Sequence, residues 1–390
     1  MATQDPVEAE TWMRRALDLA ALGLGTTSPN PMVGAVLVRD GEVVGEGFHR
    51  APGQPHAEAL ALRRAAGRAA GATCYVTLEP CAHHGRTPPC AGALIAAGVT
   101  RVVAAIEDPD PNVRGQGFAQ LRAAGVEVEL GVAAAAAEAQ NAAFLLHRRQ
   151  GRPRVTLKAA ASLDGKVAAP DGTSQWITGE AARADAHRLR AEADAVAVGA
   201  GTALADDPRL TVRLPGWGGR QPLRVLVDAT GRTVTAAAPG SRPGPSGAAG
   251  GHLFDGGAPT LVATTAAARP AALQAWAAAG AEVLVCPEAT AATGEAGVDL
   301  AFLAKALGER GVLELLVEGG PRLHASFWEA RLADRLVWYL APLVIGGDGA
   351  PGLLPAAGAR TLTAARAIRV DSVERVGPDL RIVGYPQEGT

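Results

Sequence analysis

Thr77-Leu78-Glu79-Pro80-Cys81-Ala82-His83-His84-Gly85-Arg86-Thr87-Pro88-Pro89-Cys90, read with His56-Ala57-Glu58 upstream, decides how this chain is understood. A borderline-soft metal such as zinc takes imidazole nitrogen and thiolate sulfur, and three protein ligands leave the fourth tetrahedral corner to solvent. His56, Cys81 and Cys90 supply that set, and an open corner marks a catalytic site. Water at such a metal becomes nucleophilic near neutral pH, and Glu58 stands where a carboxylate can carry its proton. Taken singly these residues say little, because an isolated buried cysteine is usually a small hydrophobe. The eight residues between Cys81 and Cys90 also exceed the two of the usual Pro-Cys-x-x-Cys deaminase signature. A closed four-ligand zinc site is the competing reading, with His83, His84 or Cys74 as fourth ligand. Cys74, inside an apolar run, and Cys286 read as core, and His83 and His84 as lining a pocket or facing solvent.

Outward from this stretch the pattern alternates. From Asp5-Pro6, apolar residues at helical spacing run to Leu24, where Gly23 and Gly25 stop the helix. Runs 32–38 and 42–48 flank Asp40-Gly41 as a hairpin. Helix 57–68, strand 73–78, helix 91–97, strand 101–106, helix 118–124 and strand 126–130 follow, which predicts a three-layer α/β domain. His56 and Cys81 then stand where a strand or loop enters a helix, and the positive end of a helix favours thiolate. An Ala-rich helix 133–149 closes the unit, and Gly151-Arg152-Pro153 reads as a hinge, giving domains 1–150 and 151–390. The second half repeats the mixture, with strands near 155–161, 195–199, 223–228, 260–263, 282–285 and 313–318 and helices such as 180–193 and 321–331. Runs 335–345, 367–374 and 380–383 come last, as an antiparallel edge on a mostly parallel sheet. Residues 236–259, rich in Gly, Pro and Ser, read as a surface loop.

Composition narrows the function. A chain of 390 residues is long enough for two domains. A net charge of -2 leaves no broad positive field for a phosphate polymer, which argues against a general nucleic-acid binder. Hydrophobic residues at 48% are ample for real cores, so global disorder is excluded. Residues 1–10 carry no basic segment followed by an apolar one, so a cytoplasmic protein is expected. The uncharged stretch 19–38 is interrupted by Thr26-Thr27-Ser28-Pro29-Asn30-Pro31, a turn rather than a membrane span. Four cysteines in a chain of this length suit metal or thiol chemistry better than a disulfide framework.

In the second half, residues 157–166 hold two of the three lysines, Lys158 and Lys166, as a strand gives way to a turn. Strand, Gly319-Gly320 and the helix start at Pro321 can present backbone N–H groups to a phosphate. The Gly-x-Gly-x-x-Gly spacing occurs only at Gly347-Asp348-Gly349-Ala350-Pro351-Gly352, where no helix pattern follows, so an ordinary Rossmann site is not indicated.

With Pro29-Asn30-Pro31 added, the motifs around His56 and Cys81–Cys90 closely resemble the bifunctional riboflavin-biosynthesis pyrimidine deaminase/reductase family, in which the longer cysteine gap is normal. The resemblance spans residues 7 to 384. It implies a cytidine-deaminase-like three-layer domain followed by a dihydrofolate-reductase-like α/β domain. It makes His56, Cys81 and Cys90 the zinc ligands and Glu58 the proton shuttle, and sets Asn30, His49, Arg86 and Asp108 on the substrate. Here Asp108-Pro109-Asp110-Pro111 stands where members often read Asp-Pro-Asn-Pro, and Asp228-Ala229 where they can carry a hydroxyl residue. In the second half it implies NADPH, met by Ala160, Trp176, Thr202, Asp206 and the turn Gly320, Pro321, Arg322, Leu323, His324, Ala325 and Ser326. Lys158, Ser174, Arg190, Leu210, Arg213 and Glu318 would meet the substrate. By residue type alone, Trp176 could equally be core, and Arg190 and Arg213 a solvated face. The implied activity is deamination of a ribosylated pyrimidine phosphate, then reduction of its ribosyl chain. A zinc deaminase acting on nucleic-acid bases, with a non-catalytic second domain, is the alternative. A structural zinc domain with a binding module is a third reading, and association into a homo-oligomer is common among such folds.

Overall fold

The computed structural model describes residues 6–82, 89–110, 113–235, 251–290, 294–355, 358–359 and 361–387. His83, His84, Arg86 and residues 236–250 of the expected loop lie outside them. The chain divides into two compact units, Met1–Gly151 and Arg152–Thr390.

In the first unit α1 (Pro6–Ala21) is followed by β1 (Gly34–Arg39), β2 (Glu42–Phe48), α2 (Ala57–Ala65), β3 (Thr73–Val76), α3 (Cys90–Ala96), β4 (Arg101–Ala104), α4 (Gln116–Ala123), β5 (Glu127–Leu130), α5 (Ala134–Gln140) and α6 (Ala142–Gln150). The sheet runs β2-β1-β3-β4-β5, with β1 antiparallel to both neighbours and β3, β4 and β5 parallel. Successive side chains of a strand point to opposite faces. Ala35, Leu37, Cys74, Val76, Val102 and Ala104 thus share one face and pack with Ala57 and Ala61 of α2, Leu94 of α3 and Phe118 and Leu121 of α4. Val36, Tyr75 and Val103, equally buried, point the other way, where α1 lies against β1 and β3 with Met13, Ala16 and Ala20 inward. Three layers result.

The expected helix 133–149 is in fact two, broken at Asn141. The Asn141 amide grips the backbone of Met32 from both sides, its Oδ1 accepting the N–H and its Nδ2 donating to the carbonyl, both at 2.9 Å. A side chain so committed to a distant strand entry turns its own backbone out of the helical register, which local apolar spacing does not reveal.

The second unit contains β6 (Arg154–Ser162), α7 (Glu180–Glu192), β7 (Ala195–Gly199), α8 (Ala200–Asp206), β8 (Leu223–Val227), α9 (Arg232–Thr235), β9 (Thr260–Thr264), α10 (Pro270–Ala278), β10 (Glu282–Val285), β11 (Glu288–Thr290), β12 (Ala296–Val298), α11 (Leu300–Glu309), β13 (Glu314–Val317), α12 (Pro321–Glu329), β14 (Arg335–Ala341), β15 (Ile368–Val376) and β16 (Asp379–Pro386). Its nine-stranded sheet runs β10-β9-β8-β7-β13-β6-β14-β16-β15. Pairing is parallel from β10 through β14, and β16 and β15 add the antiparallel edge. Leu303 and Leu307 of α11 and Phe327 of α12 cover one face, and Leu189 of α7 and Trp276 of α10 the other. The chain winds outward through β7, β8 and β9, then returns to insert β13 between β7 and β6. Such a reversal opens a crevice at the carboxyl ends of the strands. Among the described residues no helix is long and apolar enough to cross a membrane.

Candidate active sites

His56 is the last residue before α2, Glu58 lies in that helix's first turn, Cys81 follows β3, and Cys90 opens α3. These short-range facts bring the metal-binding atoms together. His56 Nδ1 lies 3.6 Å from Cys81 Sγ and 3.3 Å from Cys90 Sγ, and the ligand atoms of the three residues all fall within 4.8 Å of one another. With zinc–nitrogen and zinc–sulfur bonds of about 2.0 and 2.3 Å, a tetrahedral edge between nitrogen and sulfur measures about 3.5 Å, so the residues fit the ion. Cys74 is wholly buried in β3 and does not join the cluster.

The electrostatics suit the same end. Cys81 accepts hydrogen bonds from the Cys90 thiol and from Cys90 N, and with the His56 imidazole these outweigh burial and bring its thiol down to about 4. The Cys90 thiol is pushed up by that same bond to Cys81 and by burial. Burial, then the neighbouring Cys81 charge, raise the Glu58 carboxyl to about 7. Burial pushes the His49 imidazole down; its Nε2 accepts from Asn30 Nδ2 at 3.0 Å, and its Nδ1–H donates to Pro55 O at 3.3 Å. Its ring stands edge-on to His56, the centroids 5.5 Å apart. Asn30, His49, His56, Glu58, Cys81 and Cys90 thus form one connected group. Asp108 joins indirectly, its N–H donated to Glu79 Oε2 at 3.2 Å. Arg86 falls outside the described residues, and Asp110 Oδ2 lies 4.0 Å from Arg148 Nη1.

A cavity of about 1710 Å³ occupies the second unit's crevice. Lys158, Ala160, Ser174, Trp176, Thr202, Asp206, Arg190, Leu210, Arg213, Glu318, Gly320, Pro321, Arg322, Leu323, His324 and Ser326 all line it. Ala325 does not: it is wholly buried on the inward side of α12. Trp176 is 69% exposed with the Arg183 guanidinium 4.7 Å from its ring centroid, so it is a wall of the cavity rather than core. Arg190 is largely covered, its side chain 13% exposed, and holds Glu318 with two hydrogen bonds, Nη2 to Oε2 at 2.8 Å and Nε to Oε1, so it is no solvated face. Asp228 spends both oxygens on the N–H groups of Gly231, Arg232 and Thr233 and on the Thr233 hydroxyl, and both it and Ala229 line the cavity. The cradle for a dinucleotide is present. A Cβ on Gly319 would meet Val198 at 2.7 Å, and Gly320, at φ +64°, turns the chain so that α12 begins at the cavity wall.

Sequence reasoning passed over Arg183, His187 and Arg209, which also line the cavity. Arg183, His187 and Arg190 recur at helical spacing along α7, a signal that a search for one cationic helix face finds. Burial, then Arg190 and Arg213, bring the His187 imidazole down to about 4. His324 is also brought to about 4 by burial, which outweighs the hydrogen bond from Nε2 to Val317 O at 3.0 Å. Since both lie below the ordinary 6.5, the unfolded chain binds more protons in between. The melting temperature of the second unit is expected to hold above pH 6.5 and to fall as pH drops toward 4. Thermal melts of the parent and His324→Gln across that range check this: the variant's curve should be flatter, and equal slopes would contradict it.

Comparison with known proteins matches residues 6–106 to the cytidine and deoxycytidylate deaminase zinc-binding region and residues 153–382 to the RibD C-terminal domain. The riboflavin biosynthesis protein RibD of Escherichia coli (strain K12) is 41% identical over 391 residues, covering 97% of this chain and 100% of its own. That of Bacillus amyloliquefaciens is 41% identical over 380 residues, covering 97% of each. Among solved structures, Acinetobacter baumannii RibD superposes with a TM-score of 0.84 at 37% identity, covering 98% of this chain and 100% of its own. A Thermotoga maritima diaminohydroxyphosphoribosylaminopyrimidine deaminase/5-amino-6-(5-phosphoribosylamino)uracil reductase superposes with 0.82 at 33% identity, covering 98% of this chain and 99% of its own. With a histidine–cysteine–cysteine centre in one half, a dinucleotide-sized crevice in the other and this likeness along nearly its whole length, the chain belongs to the RibD family of riboflavin biosynthesis, bifunctional enzymes that join a zinc-dependent deaminase to an NADPH-dependent reductase.

Proposed function

We propose that this cytoplasmic enzyme hydrolyses the ring amino group of 2,5-diamino-6-ribosylamino-pyrimidinone 5′-phosphate in its first half, then reduces the ribosyl side chain to ribityl in its second. The reading rests above all on the His56, Cys81 and Cys90 edges, which match a tetrahedral zinc shell with a corner to spare. When bound, zinc supplies the Lewis acidity that makes water nucleophilic near neutral pH. Glu58, buried beside the ligands, holds the proton that must pass from the attacking water to the departing amino nitrogen. Asn30 and His49, locked to each other, present fixed polar edges to the pyrimidine, with Asp108 beyond them.

In the second half NADPH, when bound, supplies the hydride. Ala160, Trp176, Thr202, Asp206 and the turn from Gly320 to Ser326 hold it, apart from buried Ala325. Lys158, Ser174, Arg190, Leu210, Arg213 and Glu318 hold the substrate. The Arg213 guanidinium is pulled down by burial and by Arg190 and Arg209, and a sugar phosphate relieves that crowding of like charge. The charge balance of -2 favours such a small anion over a polynucleotide.

The test gives the purified chain this diaminopyrimidine ribosyl phosphate, with and without NADPH, and follows ammonia and NADPH absorbance. Ammonia is expected without NADPH, and NADPH oxidation only after deamination. A chelator that strips zinc should stop ammonia release, spare NADPH oxidation on pre-deaminated substrate, and be reversed by added zinc. Ammonia release that survives zinc removal would refute the reading.

A further inference from the structure

We propose that Glu79 is the positioning residue of the deaminase centre, tying the turn that carries Cys81 to the segment that carries Asp108. The inference rests on the deaminase reading of that centre. Glu79 leaves β3 pointing inward and is only 4% exposed. Its carboxylate accepts three backbone N–H groups from one distant segment: Oε2 takes Asp108 at 3.2 Å and Gly115 at 2.9 Å, and Oε1 takes Gly117 at 2.9 Å. Gly115 and Gly117 stand at the start of α4, where the helix dipole also favours an anion. The Glu79 N–H meanwhile donates to Ile106 O at 3.0 Å, so backbone and side chain grip the same segment.

The seam is closed from the other side as well. A Cβ on Gly117 would lie 1.9 Å from Pro80 O, so only glycine lets α4 approach the residue between Glu79 and Cys81. Beyond Pro80, the Cys81 carbonyl accepts Ala91 N at 3.1 Å and its sulfur accepts Cys90 N at 3.4 Å. Cys81 is therefore pinned between α4, through Glu79 and Pro80, and α3, through Ala91 and Cys90. A ligand sulfur held this way owes its distance from His56 to the carboxylate two residues before it. Groups that orient metal ligands without touching the metal are typically worth about 10- to 100-fold in metal affinity or activity.

The experiment uses the full chain and two variants. Glu79→Gln keeps the volume but turns one acceptor oxygen into an NH₂ that faces a backbone N–H. Glu79→Asp keeps both acceptors on a stem one carbon shorter, and carries the test should the glutamine variant not fold. Zinc affinity is read by chelator competition, and ligand geometry by the sulfur-to-cobalt charge-transfer band of the Co²⁺-loaded protein. Glu79→Gln is expected to lose about 10- to 100-fold in zinc affinity, to shift that band, and to lower kcat for ammonia release more than it raises KM. The aspartate variant should fall between it and the parent, and NADPH oxidation on pre-deaminated substrate should be unchanged in both. Parental zinc affinity and a parental cobalt spectrum in a folded variant, whatever its melting temperature, would overturn the proposal. Failure of the underlying reading is seen separately, as Glu58→Gln releasing ammonia like the parent.

Discussion

Replacing Glu58 with glutamine is expected to cut ammonia release by about 10²- to 10⁴-fold, the range for removing a positioned proton carrier. Zinc should stay bound, because His56, Cys81 and Cys90 complete the cluster without a carboxylate. Shape should also be kept: Glu58 is 3% exposed in the first turn of α2, and glutamine fills the same volume. What disappears is the capacity to take a proton and give it up again. Because the described residues that line the reductase cavity belong to the second unit, NADPH oxidation on pre-deaminated substrate should match the parent. Ammonia and NADPH assays on one preparation, with metal analysis alongside, decide the matter. Equal loss of both activities in a folded variant would refute the independence of the two sites.

The metal set was legible because its chemistry depends on residue type and on local junctions: a histidine before a helix, a cysteine after a strand, a cysteine opening the next helix. The alternation of strand and helix carried the layering for a similar reason, since burial on one face leaves a period in the apolar residues. Contacts made by polar side chains across long sequence separations left no such trace. Asn141 breaks a helix in order to hold Met32, 109 residues away, and its Ala-rich surroundings hide this. Glu79 looked like a spacer in a cysteine motif, and its three backbone partners lie 29 to 38 residues later. In the second half family likeness named part of the crevice lining, but it left out Arg183, His187 and Arg209, and it carried a contiguous turn over whole. A helix turns away from the cavity within one turn, and Ala325 turned with it.

Glu318 is where the reductase half should be most sensitive. Its carboxylate is buried, pairs two-fold with Arg190 and sits close to Lys158. Burial alone would push this carboxyl up, yet Arg190, then Lys158 and His187, more than reverse it and hold it near about 2. Glutamine at this position would leave the Arg190 guanidinium and Lys158 without their counter-charge. Removing one partner of such a buried pair costs about 3–5 kcal/mol, and only part of that is recovered by relaxation. Glu318→Gln is therefore expected to lose NADPH oxidation by more than about 100-fold, the equivalent of about 3 kcal/mol, with ammonia release intact. It should also melt at a lower temperature. Glu318 is ionised in the fold above about 2 but only above about 4.5 when unfolded, so its stabilisation is complete above 4.5 and is lost as pH falls toward 2. The melting gap between parent and variant should stay constant from pH 8 to 5 and narrow below that. A gap that instead widened on acidification would mean that the carboxyl is protonated in the folded chain, and that Arg190 is balanced by some other group.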